Sequence, residues 1–207
     1  MNVTRFPRFL FFGLALIAAG VLVAAAHSGQ TPPAIGDPAP AFTLKGIDGQ
    51  THSLSDFKGK IVVLEWTNQG CPVVQRHYRS GLMPAAQEEA REKGVIWLAV
   101  NSTNPDHANY REPDALQKIY ADWKAAYAFQ LMDPDGETGH AYGAKTTPHI
   151  FVIDARGRIA YNGAIDNDTS GNNVDRTNYA LAAVEALLAG QPVAVTTTRP
   201  YGCSVKY

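Results

Sequence analysis

Glu65-Trp66-Thr67-Asn68-Gln69-Gly70-Cys71-Pro72-Val73-Val74 is the stretch that decides how this chain folds. The apolar, largely β-branched run Ile61-Val62-Val63-Leu64 leads into it and reads as a buried strand. A short polar segment with a glycine ends that strand. Then comes Cys71, and Pro72 opens helical sequence that continues to about Ser80. A cysteine where a strand gives way to a helix is placed for thiolate chemistry. The helix N-terminus supplies free N–H groups and partial positive charge, and both favour the ionised sulfur. The second and last cysteine of the chain is Cys203.

Working outward from this junction, Asp48-Gly49 between Phe42-Thr43-Leu44 and Thr51-His52-Ser53-Leu54 reads as a β-hairpin. Downstream, the helix after Cys71 is interrupted by Gly81 and Pro84, and the proline predicts a kink or two helices. Gly94 to Val100 reads as a second buried strand, and Pro113 to Tyr127 as a helix with proline in its first turn. Phe129 to Met132 reads as a short strand and Glu137 to Tyr142 as a short helix. His149 to Asp154 and Ile159 to Asn162 form a hairpin, and Asn178 to Leu188 is the last amphipathic helix. Strands and helices alternate first and a hairpin comes late. The sheet is therefore expected to be mixed, parallel in its centre and antiparallel at one edge.

The chain has 207 residues and a net charge of −1, with no dense basic or acidic block. Neither a nucleic-acid surface nor a polybasic membrane patch is indicated. Arg5 and Arg8 precede an uncharged apolar stretch, Phe9 to Ala26, ending in Ala24-Ala25-Ala26. This is the pattern of an export signal, with two outcomes open: a signal peptide that is removed, or an anchor that stays in the membrane. Residues 1–26 are thus a leader, 27–40 a Pro-, Gly- and Ala-rich linker, 41–190 the folded domain, and 191–207 a tail. The tail carries Cys203 within Pro200-Tyr201-Gly202-Cys203-Ser204. It reads as too polar and short to pack as an element, with a turn that presents the sulfur.

With Thr147-Pro148 ahead of Phe151-Val152-Ile153-Asp154, and hairpins before and after the core, residues of about 35–190 resemble a thioredoxin-fold redoxin. The likeness is to the AhpC/TSA peroxiredoxin-like proteins and the TlpA-like exported oxidoreductases. It implies an α/β, three-layer fold: a central mixed sheet flanked by helices, with an N-terminal hairpin extension. It implies a cis bond at Thr147-Pro148, with the backbone of Thr147 turned toward Cys71. It further implies an exported redox protein in which Cys71 attacks a hydroperoxide or a disulfide and Cys203 resolves the product, in the same chain or in a partner copy. Asn68 would steady the developing charge, with Trp66, Thr67, Pro72, Thr147 and Pro148 lining the substrate. An external thiol reductant would reset the protein, and no cofactor is needed.

Three departures bear on the reaction. Cys71-Pro72-Val73-Val74 has Val74 where a C-x-x-C motif has its second thiol. Against the peroxiredoxin pattern P-x-x-x-T/S-x-x-C, the positions fall on Leu64 and Asn68. The peroxiredoxin arginine falls on Pro148, leaving Thr67, Asn68, Arg76 or Arg79 as candidates to substitute. His77 reads as an exposed helical histidine. Cys71, His77 and His149 lack the tight spacing of a metal site, and no metal is assigned. The second reading kept open is a non-catalytic thioredoxin-fold module that binds a partner protein or a metal, with the two cysteines as a static staple or free thiols.

Overall fold

The computed structural model describes residue 1 and residues 31–207. The expected leader, apart from its first residue, lies outside the described residues. Among the described residues no helix is long and apolar enough to cross a membrane.

The hairpin strands β1 (Thr43–Gly46) and β2 (Thr51–Ser53) turn at Asp48-Gly49, and a 3₁₀ turn, Leu54–Phe57, follows. β3 (Val62–Trp66) is buried along its whole length. After it come α1 (Pro72–Arg79), α2 (Leu82–Glu92) and β4 (Ile96–Asn101). The chain continues through α3 (Pro113–Asp122), β5 (Phe129–Met132) and α4 (Glu137–Tyr142). β6 (Thr146–Thr147), β7 (His149–Ile153), β8 (Ile159–Gly163), α5 (Tyr179–Leu188) and β9 (Cys203–Ser204) complete it.

Seven strands form one sheet in the order β2-β1-β5-β4-β3-β7-β8. β3, β4 and β5 are parallel. The antiparallel pairing lies on both sides of them rather than at one edge: β7 runs against β3, and β1 runs against β5. The N-terminal hairpin is thus an edge of the main sheet. Two apolar cores cover the two faces. Val63, Val74, Tyr78, Met83, Ala86, Trp97, Leu116, Tyr120 and Val184 belong to one, which α1, α2, α3 and α5 cover. Val62, Leu64, Trp66, Val100, Tyr142 and Phe151 belong to the other, under α4. Alternation along β3 sends Trp66 to one core and Glu65 to the other, which is why a strand buried on both faces shows no alternation in its sequence.

The break between α1 and α2 comes from Gly81, not from Pro84. Gly81 is the N-cap of α2 with φ 80, a left-handed conformation that glycine adopts without steric cost. Pro84 sits in the first turn of α2, where its missing N–H has no helical partner to lose. α3 is also shorter than its sequence suggests. Lys124 takes φ 57 just past its end, and the Ala125 N–H closes on Tyr120 O at 2.9 Å, a left-handed helix stop without the usual glycine.

Residues 191–207 correct the expectation of a loose tail. Thr196 and Thr198 exchange backbone hydrogen bonds with Asn162 along the outer edge of β8. Cys203 and Ser204 pair antiparallel with Thr147 and Thr146. Lys206 O accepts from Asn104 N at 2.7 Å, and the Tyr207 ring stacks on His140. The polar backbone that looked unable to pack is satisfied by strand edges and loops contributed from far along the chain.

Candidate active site

β3 ends where Thr67 N donates to Val100 O at 2.9 Å. Asn68 then shapes the turn. Its side-chain oxygen accepts from Gly70 N (2.7 Å), its amide donates to Thr103 Oγ1 (2.6 Å), and its carbonyl accepts from Cys71 N (3.0 Å). Cys71 is the N-cap of α1, with φ −83 and ψ 121, and Pro72 opens the helix. The sulfur therefore meets the free N–H groups of the first turn, as the junction in the sequence requires.

The sulfur is not exposed. Cys71 is 1% exposed and belongs to the core that α1 covers. Its cover is the tail, whose Cys203 pairs with Thr147 beside Cys71 and lies close enough for each thiol to shift the other's ionisation; both thiols are free. The Cys71 thiol donates to the carbonyl oxygen of Thr147 at 3.0 Å. The Thr147-Pro148 bond is cis. Burial pushes the Cys71 thiol up. Hydrogen bonds from the Cys203 thiol, the Val74 N–H, the Thr147 hydroxyl and the Cys203 N–H outweigh it, and the thiol ends below its ordinary value. Cys203 moves the other way. Its own burial, then its hydrogen bond to Cys71 and the Cys71 charge, push it up to about 11. The pair thus divides into one sulfur prepared to be thiolate and one that keeps its proton.

Glycine at 202 is what lets the tail come this close. Gly202 has φ 130, and a Cβ there would overlap the carbonyl oxygen of Thr147.

The other residues expected at the substrate are distributed unevenly. Thr147 and Pro148 are buried beside Cys71, and Pro72 is exposed at the helix start. Trp66 is a core residue instead, packed on Tyr142 and Phe151 with its indole N–H on Ser102 Oγ at 3.0 Å. Thr67 is buried with its hydroxyl 2.9 Å from that of Tyr120. Both lie at the end of a strand covered on two faces, so neither has a free face to offer. Asn68 spends its side chain on Thr103 and Gly70 and serves the turn. Arg76 donates to the carbonyls of Asp168 and Thr169, and Arg79 lies over Trp123, so neither replaces the missing arginine at the sulfur. His77 is buried under the tail rather than exposed, with its Nε2 3.0 Å from the Tyr201 hydroxyl. Among the described residues no group of three potential metal ligands comes together.

Sequence reading passed over Glu65. It is fully buried in β3 and accepts from Tyr78 Oη (2.9 Å), Gln87 Nε2 (3.0 Å) and Trp97 Nε1 (2.9 Å). Burial pushes its carboxyl from an ordinary 4.5 to about 7 despite these donors. The available signal was a single acid inside an otherwise apolar strand, which is costly unless partnered.

The sequence model of the AhpC/TSA family matches residues 35–162, more than half of the chain. This chain belongs to the AhpC/TSA family. The AhpC/TSA match spans β1 to β8, the sheet that presents Cys71. Thiol-disulfide oxidoreductase ResA of Geobacillus thermodenitrificans is 30% identical over 132 residues, covering 63% of this chain and 69% of that one. Thiol:disulfide interchange protein DsbE of Pseudomonas fluorescens is 30% identical over 136 residues, covering 64% and 68%. Among solved structures, an uncharacterized conserved protein of Geobacillus kaustophilus superposes with a TM-score of 0.76 at 27% identity, over 84% of this chain and 92% of that one. The AhpC/TSA chain described here is accordingly a thioredoxin-like redoxin of an oxidoreductase family.

Proposed function

We propose that this protein performs thiol–disulfide exchange, with Cys71 as the attacking sulfur and Cys203 as the resolving one. The observation that carries the reading is that the strand pairing of Cys203 with Thr147, whose carbonyl accepts from the Cys71 thiol, brings two free thiols to the start of α1. The Cys71 thiolate attacks one sulfur of a substrate disulfide. A mixed disulfide forms, and the first substrate thiolate leaves. The Cys203 thiol gives up its proton, and its sulfur attacks the Cys71 sulfur. The bond from Cys71 to the substrate breaks, the second substrate thiolate leaves, and the Cys71–Cys203 disulfide forms. The substrate disulfide is reduced by two electrons and the protein dithiol is oxidised by two. An external dithiol returns the protein to its starting state.

The pair would do what the two cysteines of C-x-x-C do three positions apart, but draws its second thiol from the tail. Val74 in place of a second cysteine is then no obstacle. The printed names of the ResA and DsbE relatives support the same class of reaction. A hydroperoxide is the less supported substrate, because neither a hydroxyl at position 68 nor an arginine at the sulfur is available to polarise the O–O bond. The basic and apolar leader supports export to a compartment where disulfide substrates occur.

Reduced protein is mixed with an aromatic disulfide, and thiolate release is followed alongside the mass of the Cys71–Cys203 peptide. Two thiolates per chain and an internal disulfide are expected, with hydrogen peroxide reacting more slowly. If Cys71→Ser releases thiolate as fast as the parent, the proposal fails. A Cys71 that stays inert and titrates near 8.5 or above favours the non-catalytic module.

A further inference from the structure

The segment that delivers Cys203 has a fastening of its own. Tyr201, two residues ahead of Cys203, lays its ring 6.1 Å from that of His77, centroid to centroid. Its hydroxyl donates to the Asp166 carboxylate and lies 3.1 Å from the Asp168 carbonyl. With that proton given to Asp166, His77 Nε2–H donates to the phenol oxygen at 3.0 Å. Asp166 also accepts from Asp168 N at 2.9 Å and has Arg176 Nε at 3.5 Å. His77 is 2% exposed and Asp166 is 3% exposed. Burying an imidazole and a carboxylate beneath a half-buried phenol carries a desolvation cost that tail packing by itself would not require. Of the three, His77 lies on α1, six residues beyond Cys71. One helix therefore has the attacking sulfur at its N-cap and, further along, one part of the fastening for the sulfur that resolves it.

We propose that His77, Tyr201 and Asp166 form a latch that holds the tail over Cys71 and sets access of substrate against closure of the Cys71–Cys203 disulfide. The inference rests on the exchange reaction proposed above. With the latch shut, the Cys71 sulfur is covered and a substrate disulfide has no path to it. Lifting the tail breaks the Tyr201 hydrogen bonds and uncovers the sulfur. After Cys71 has formed the mixed disulfide, the latch re-forms and returns Cys203 to the Cys71 sulfur. The three residues touch neither substrate nor the sulfur under attack and are positioning residues. A loosened latch must therefore speed the first step and slow the second.

Two rates separate these effects. In a Cys203→Ala background, the reagent 5,5′-dithiobis(2-nitrobenzoate) reports attack by Cys71 alone, and adding Tyr201→Phe should raise that rate. In protein with both cysteines, release of the second thiolate from the preformed Cys71 mixed disulfide reports closure. Tyr201→Phe should lower it roughly tenfold, the size expected for losing a hydrogen bond to a charged group. His77→Asn should give the same pair of opposed changes and carries the test if Tyr201→Phe does not fold. Rates that move together, or do not move, overturn the latch. Should the parent release no thiolate at all, the exchange reaction is what fails. The latch is then read from amide hydrogen exchange at residues 201–204 of the reduced protein: faster in both variants if it exists, unchanged if it does not.

Discussion

Cys71 and Cys203 are chemically the same side chain in the same small volume, yet they are unequal acids. Cys71 receives donors from a helix start, a threonine and the other thiol, whereas Cys203 meets chiefly its own burial, and then the hydrogen bond and charge of its neighbour. Cys203→Ala removes the strongest of those donors. It should raise the Cys71 pKa, read from the pH dependence of thiolate absorbance in the ultraviolet; an unchanged titration would remove the thiol–thiol contact from the account. Glu65 supplies a second residue-scale test. Its folded pKa is raised, so the native state keeps a proton that the unfolded chain releases. That contribution to stability is complete below pH 4.5, declines as pH rises, and is gone above about 7. The shift corresponds to about 3 kcal/mol. Denaturant unfolding across this range should show the decline in the parent and a flatter profile in Glu65→Gln. A parent whose stability does not fall between these limits would sink the assignment.

At the scale of elements, β9 is the piece on which the site depends. It has only two residues, and its partner β6 also has two. Its geometry is enforced at Gly202. Gly202→Ala places a methyl group against the Thr147 carbonyl in a backbone conformation that alanine resists. The variant should keep its sheet and helices by circular dichroism but lose fast Cys71–Cys203 disulfide formation under mild oxidation. Formation at the parent rate would show that β9 is not needed. Why β9 was invisible beforehand is physical. Strands β3, β4, β5 and β7 carry dense apolar runs, and the Asp48-Gly49 hairpin and the Pro-capped helices carry local turn chemistry. All of these are written in neighbouring residues. Two-residue pairing between Thr147 and Cys203 has no such pattern, and its determinants lie in a separate part of the chain. The burial of His77 was hidden for the same reason, since the face of α1 it occupies is closed by Tyr201, not by anything near it in sequence. The position of Cys71 was legible because a strand, a polar turn and a proline-opened helix announce a junction locally. Its burial was not.

For the whole molecule, both thiols are free in this structure, and joining them would close a loop from the end of β3 to the final strand. A cross-link of that span restricts the unfolded chain strongly, with about 2–5 kcal/mol as the usual range. Oxidised protein should therefore melt at higher temperature than reduced protein, and Cys203→Ala should abolish the difference. Equal melting temperatures in both redox states would mean that the tail is held as firmly without the bond as with it.

The backbone hydrogen bonds that fix Thr196 and Thr198 to Asn162 also limit how far the sulfur of residue 203 can travel. Cys203 lies five positions after Thr198, a tether of at most roughly 17 Å when fully stretched. A thiol on so short a leash stays at an effective concentration of the order of millimolar around Cys71 even when it swings free. In the proposed exchange reaction, each chain could thus close its own Cys71–Cys203 disulfide at any dilution, without waiting for a second copy of the protein.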